Sequence, residues 1–282
     1  MPVPTIPLAH IGWKAQDALA ATRGRARVLA PLSTSLYLTA ADQVIWLGHP
    51  GGVLHPRTML AIPERLGHFT PGTAIDLDLA RARPWPARRP VPLAERSLPT
   101  AATRAMLTML REHPQCLPPP LGLGALLVGR LPSFPLERAV PAVVDLARAC
   151  DASRVAEATA AAERLLGLGP GLTPAGDDFV GGVLFTRNHA SGAAAQWRQA
   201  SSHIIARARQ RTNPISVALL ADLADGHGYE PLHDLAEALE GGQENDHVVD
   251  ALRRLVRLGH SSGWDLLAGF LVGIAGIDAL GL

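Results

Sequence analysis

The chain has 282 residues, of which 48% are hydrophobic and 18% charged, with a formal net charge of +1 at pH 7. This is a globular composition with ample material for a core, in one large domain or two smaller ones. Near-neutral charge with scattered arginines provides no basic stripe, so no nucleic-acid partner is expected. Lys14, the only lysine, excludes a P-loop and leaves no other candidate for a Schiff base.

Cys116 and Cys150 lie far apart and outside metal-ligand spacing, which argues against a disulfide scaffold or a zinc site. His189, His203, His227, His233 and His247 show no paired spacing, so no metal site is assigned. Residues 1–10 have neither a basic n-region nor an apolar h-region, and the expected location is cytoplasmic. The apolar run Trp264–Leu282 contains Asp265 and Asp278 among several glycines. It reads as a buried core helix rather than a membrane span, and no membrane partner is expected.

In chain order, residues 10–24 carry helix formers that stop at Gly24. Segments 26–30, 34–39, 43–48 and 73–79 are short, rich in strand-forming residues and separated by Pro, Gly and His-Pro turns. Asp76 and Asp78 would share one strand face, read as solvated. The loop Gly48–Arg57 holds His49, His55 and Arg57; it either shapes turns or lines a site. Arg81, Arg83, Arg88 and Arg89 are interleaved with prolines, and Pro84, Pro86, Pro90, Pro92 and Pro99 make residues 84–99 an extended connection. Beyond it the composition is helical over Thr100–Glu112, broken at Pro114–Pro120 and at a flexible apolar stretch with Gly122, Gly124 and Gly129. One or two Ala-rich helices over Glu137–Leu166 follow, then helices near 178–189, 193–210, 214–224, 231–240, 246–258 and 263–277. The expected class is α+β: a small β-rich N-terminal domain over 1–98, including its proline-rich connection, followed by a larger, mostly α-helical C-terminal domain over 99–282.

The chain is organised around residues 167–182. Gly167, Gly169 and Gly171 alternate with Leu and Pro before Thr173-Pro174. Thr173 suits a helix N-cap and Pro174 the first helical position. A Gly-rich loop feeding a helix N-terminus offers unpaired N–H groups to a phosphate or carboxylate. Asp177 and Asp178 add negative charge there. They point about 100° apart, so either one faces a substrate N–H, an Arg or a cation, or both merely complement the helix dipole. The pattern returns near the C-terminus, where Gly176, Asp178 and Gly182 align without a gap on Gly263, Asp265 and Gly269. In each copy Asp and the last Gly share a helix face, and the spacing predicts two helix starts facing each other. Between the copies, Asn213 as N-cap and Pro214 as first residue open another helix, with Arg211 and Thr212 just before it and Ser216 in its first turn. His260 beside Ser261 and Ser262 has the titration range of a general acid or base.

Gly-Leu-Gly-Pro-Gly-Leu-Thr-Pro-Ala-Gly-Asp-Asp-Phe at 167–179, Arg211-Thr212 with Ser216, and Gly-His at 259–260 followed by Ser-Gly-Trp-Asp-Leu-Leu-Ala-Gly at 262–269 resemble a domain-of-unknown-function family. That family includes the AllH subunit of oxamate carbamoyltransferase from anaerobic allantoin breakdown. The resemblance covers the C-terminal two-thirds. It implies carbamoyl transfer between a small carboxylate, oxamate or oxalurate, and phosphate, in a complex with partner subunits and with no cofactor required. Carried onto this chain, it implies catalytic roles for Asp177, Asp178, Asp265 and His260. Substrate binding then falls to Gly169, Gly171, Thr173, Gly176, Arg211, Thr212, Ser216, Ser261, Ser262 and Gly263. Asp178 and Asp265 would orient the carbamoyl NH₂, loop amides and Arg211 would hold anions, and Ser261, Ser262 or His260 would donate or shuttle a proton. Two alternatives stand beside this reading. One is a phosphotransferase or hydrolase with Mg²⁺ held by Asp177, Asp178 and Asp265; the other is a non-catalytic anion-binding subunit.

Overall fold

The computed structural model describes residues 3–62, 66, 68–89, 100–188, 194–241 and 245–282. Pro90, Pro92 and Pro99 of the proline-rich connection, and His189, lie outside the described residues. The chain is α+β and forms two compact units, Met1–Arg88 and Arg89–Leu282.

The first unit contains β1 (Thr5–Gly12), α1 (Trp13–Ala21), β2 (Arg25–Pro31), β3 (Leu36–Ala40), β4 (Gln43–Gly48), β5 (Thr58–Ala61), β6 (Ala74–Asp78) and β7 (Arg83–Trp85). The sheet order is β5-β4-β3-β2-β6-β1-β7, and β1 also pairs with β5, so six strands close into a barrel. Parallel to β1 run β6 along Thr5–Pro7 and β7 along His10–Gly12. Alternation points one face of each strand inward, where Leu8, Leu38, Ile45, Leu47, Met59 and Ile75 are wholly buried. A closed barrel leaves few exposed edges.

Four strands fall where the sequence places them, and α1 ends at Ala21, with Gly24 three residues on, its φ of +81° and its N–H bonded to the Leu19 carbonyl, completing a left-handed stop. Residues 10–12, expected as helix, are strand instead. Their pairing with β5 and β7 outweighs local propensity. The Gly48–Arg57 loop shapes turns: Nδ1 of His55 accepts from the Arg57 N–H at 3.2 Å, and the buried Arg57 guanidinium donates to the Val44 carbonyl at 3.0 Å. Asp76 takes Arg25 as an ion-pair partner at 3.0 Å on a partly exposed face.

The second unit is built from α2 (Ala101–Glu112), α3 (Val140–Asp151), α4 (Val155–Leu165), α5 (Ala175–Arg187), α6 (Ala194–Arg211), α7 (Pro214–Ala224), α8 (Glu230–Glu240), α9 (Asn245–Leu255) and α10 (Ser262–Ala275). At its centre stand α5 and α10, buried along almost their whole length, with Asp177, Asp178 and Asp265 the buried acids near their starts. Trp197, Trp264, Phe179 and Phe270 are its largest wholly buried side chains. By length and composition, Ser262–Ala279 is the one described segment apolar enough to cross a membrane; 78% of it is buried. That agrees with a core helix. The stretch expected to be flexible around Gly122 is a 3-10 turn over Gly122–Val128, with Leu123–Leu127 buried against α10.

Candidate active site

The second unit uses one local design twice. Where α4 ends, the Leu168 N–H bonds back to the Leu165 carbonyl and the Gly176 N–H to the Leu168 carbonyl at 2.9 Å. Where α9 ends, Leu258 bonds to Leu255 in the same way, and the Gly263 N–H to the Leu258 carbonyl at 3.1 Å. In each copy the glycine lies so close to the carbonyl of the preceding helix, Leu165 or Leu255, that no Cβ fits. The first loop is the longer, running from Leu168 to Gly176 against Leu258 to Gly263.

Each loop launches a helix, and the two helices cross. Gly182 on α5 sits against the backbone of Leu266, Gly269 and Phe270, and Gly269 on α10 against the backbone of Phe179. The aligned glycines thus form the crossing itself, with main chain on main chain. One turn nearer the N-termini stand Asp178 and Asp265, and beyond them Thr173 Oγ1 and Ser262 Oγ are hydrogen-bonded at 2.8 Å. That bridge corrects the expected cap. Pro174, not Thr173, is the N-cap of α5, because the threonine hydroxyl is engaged by the second copy.

The adjacent acids part ways. The carboxylate of Asp177, 2% exposed, takes donors on both oxygens. The Gly167 N–H donates to Oδ1 at 2.7 Å, and the hydroxyls of Thr212 and Ser216 to Oδ2 at 2.6 and 2.7 Å. Asn213 caps α7 through the Ile215 and Ser216 N–H groups, as expected, and its Nδ2 donates to the Leu172 carbonyl at 2.9 Å. The segment Arg211–Ser216 therefore holds the Gly-rich loop near both ends. Thr212 and Ser216, candidates for substrate binding, spend their hydroxyls on this clamp.

Asp178 faces Asp265 instead. Burial and the nearby Asp265 carboxyl push the Asp178 carboxyl well above its usual range, against the opposing pull of the Ser262 and Thr173 hydroxyls. Burial also pushes Asp265 up, to about 7, although the Leu123 N–H and the Ser261 hydroxyl favour its anion. Asp265 Oδ1 accepts from Leu123 N–H at 2.6 Å. Oδ2 of each acid is buried and has no hydrogen-bond partner among the described residues. The sequence reading missed the Gly122–Leu123 contribution. Gly122 has φ +55° and lies so close to Asp265 that any side chain there would displace the carboxyl. The Gly-Leu-Gly spacing was visible, but its partner lies far along the chain.

The N–H groups of Gly169, Gly171, Leu172 and Thr173 have no acceptor among the described residues, nor do those of Gly259 to Ser262 in the second loop. Gly169 and Gly171 have φ of +116° and +95°, and the space beside Gly171 is open. Arg211 and His260 are exposed. Only the Arg211 carbonyl is drawn in, packed on Gly167. Among the described residues no three His, Cys, Asp or Glu side chains are grouped to hold a metal ion.

The family model described as oxamate carbamoyltransferase subunit AllH matches residues 165–274. The match is narrower than the two-thirds expected, yet it spans both loops, both crossing helices and the clamp. No solved structure matches the chain.

Proposed function

We propose that this chain serves carbamoyl transfer as a subunit of an oxamate-carbamoyltransferase-type complex, its helical unit binding a small carboxylate that bears a carbamoyl or amide group. The observation that carries the reading is the buried Asp178–Asp265 pair, with an unpartnered oxygen on each acid, at two helix starts whose loops leave N–H donors free. Such a site offers acceptors to an NH₂ and donors to anionic oxygens. A ligand with both, such as oxamate or a carbamoylated carboxylate beside phosphate, satisfies it. The match to a subunit of a named carbamoyltransferase supports the same assignment and implies partner subunits.

On this reading the loops bind carboxylate and phosphate oxygens, the acid pair orients the carbamoyl nitrogen, and Asp177 fixes the longer loop in place. Preorganised donors of this kind stabilise charge developing on a tetrahedral carbamoyl carbon. His260 and Arg211, at the exposed margin, would meet the ligand's charged end. The Mg²⁺ reading loses one of its three acids, because both oxygens of Asp177 are already taken.

The test is a thermal-shift panel with oxamate, carbamoyl phosphate and phosphate, each in EDTA and in Mg²⁺, on wild type and Asp265→Asn, which turns the unpartnered acceptor Oδ2 into a donor. A ligand at 100 times its Kd adds about 2.7 kcal/mol, roughly 5–10 °C for a chain of this size. A metal-independent shift with oxamate or carbamoyl phosphate, lost in the variant, is expected. A shift that needs Mg²⁺, or none with any of the three anions, refutes the reading.

A further inference from the structure

We propose that Asp178 and Asp265 act as one acid–base pair that holds a proton on Asp178 and passes it to the amide nitrogen released when the carbamoyl C–N bond breaks. The proton-transfer role rests on the carbamoyl-transfer reading above; the shared proton does not.

The two acids are buried and close enough for their charges to interact, between a main-chain crossing and a hydroxyl bridge. Two carboxylates confined in this way do not both ionise. Their surroundings decide which one keeps the proton. Asp265 has a backbone donor, Leu123 N–H at 2.6 Å, and the Ser261 hydroxyl, both of which stabilise an anion. Asp178 has only the Ser262 and Thr173 hydroxyls, which also bond to each other, and it faces the negative charge of Asp265 and, beyond it, of Asp177. Above about pH 7 the proton therefore resides on Asp178, with Asp265 as the anion beside it. An acid so held also resolves the conflict of placing carboxyl groups at an anion-binding helix start, because Asp178 enters the site uncharged and as a donor.

The step balances without another reactant. A phosphate oxygen bonds to the carbamoyl carbon of the ureido acid and the C–N bond breaks. Its electron pair goes to the nitrogen, which takes the Asp178 proton and leaves as the amide of oxamate. The proton on the incoming phosphate returns to the pair, and the reverse reaction uses the same groups in reverse order.

The pair is tested without ligand by chemical denaturation of wild type, Asp178→Asn and Asp265→Asn across about pH 5–8. An unfolded Asp titrates near 3.9, so a proton retained on folded Asp178 is lost on unfolding throughout this window. Stability from that proton is complete below the unfolded pKa and declines as pH rises towards the folded one. The unfolding constant of wild type relative to Asp178→Asn should rise close to tenfold per pH unit, the limit for a single proton. Asn at 178 mimics the protonated acid and keeps the fold. Asp265→Asn, which still accepts from Leu123, should weaken proton retention at Asp178 and shrink the effect at the alkaline end of the window, where Asp265 is an anion. A flat ratio across the window overturns the pair. In the assembled complex, Asp178→Asn should lower kcat about 100-fold or more with KM changed only a few-fold. Retained kcat overturns the proton-transfer role. A wild-type complex with no carbamoyl transfer overturns that role together with the functional reading, while the pH ratio still decides whether the proton is shared.

Discussion

Replacing Asp177 by Ala removes the carboxylate on which three donors converge, at 2.6, 2.7 and 2.7 Å. Hydrogen bonds to a charged group contribute about 1.5–3 kcal/mol each. The three are not additive, because freed hydroxyls can turn towards other acceptors and the half-buried Gly167 N–H can find water. About 3–5 kcal/mol is expected, the range for breaking a buried charged contact by deleting one partner. Asp177→Asn keeps an acceptor oxygen, and a hydroxyl of Thr212 or Ser216 can reverse to accept from the new NH₂, so it should lose only about 1–2 kcal/mol. Urea denaturation followed by helical circular dichroism measures both, since among the described residues all but one of the α-helices belong to the unit that holds the clamp. In a thermal melt the Ala variant should fall by roughly 6–20 °C. If it loses less than about 1 kcal/mol, or if Asn is as damaging as Ala, Asp177 is not the clamp described.

Other substitutions separate space from backbone conformation. Gly182→Ala and Gly269→Ala drive a Cβ into the main chain of the partner helix and should each destabilise by about 3 kcal/mol or more. Gly171→Ala has open space and only its φ of +95° to oppose it, so a loss of about 1 kcal/mol is expected in the same denaturation series. Asn213→Ala removes a cap bonded to two N–H groups and the link to Leu172, with a loss of about 1–2 kcal/mol. In native protein at about pH 8, iodoacetamide should label exposed Cys116 and spare Cys150, whose thiol burial pushes up to about 11. Equal labelling by mass spectrometry would contradict that burial.

Local chemistry was legible in the sequence wherever the partners were local. Asn213-Pro214 announced the start of α7, and Gly24 the end of α1, because a cap and a left-handed stop depend on neighbours a few residues away. The start of α5 was displaced by one position for the opposite reason: the Thr173 hydroxyl is claimed by Ser262 in a distant loop. The roles of Asp177 and Asp178 could not be divided from their order alone. The clamp comes from Thr212 and Ser216, and the facing acid from α10. β1 was missed because residues 10–12 were read with the helix that follows, whereas closure of the barrel recruits the segment through β5, β6 and β7. The α5–α10 pairing was foreseen because both helices carry the same Gly and Asp positions. The Gly122–Leu123 support for Asp265 left no such mark, having no second copy for comparison.

The glycine crossing of α5 and α10 has a bearing on how this protein tolerates change. Where helices meet through interdigitating side chains, exchanging a leucine for a methionine alters their separation, and any pair of groups they carry drifts with it. Here peptide planes rest on peptide planes at Gly182 and Gly269, so the gap is already at its minimum and cannot be tuned by what fills the surrounding core. Sequence drift elsewhere in the helical unit would then alter its melting point long before it altered the spacing of Asp178 and Asp265. The two acids are gauged by the polypeptide backbone, a ruler that mutation can break but not recalibrate.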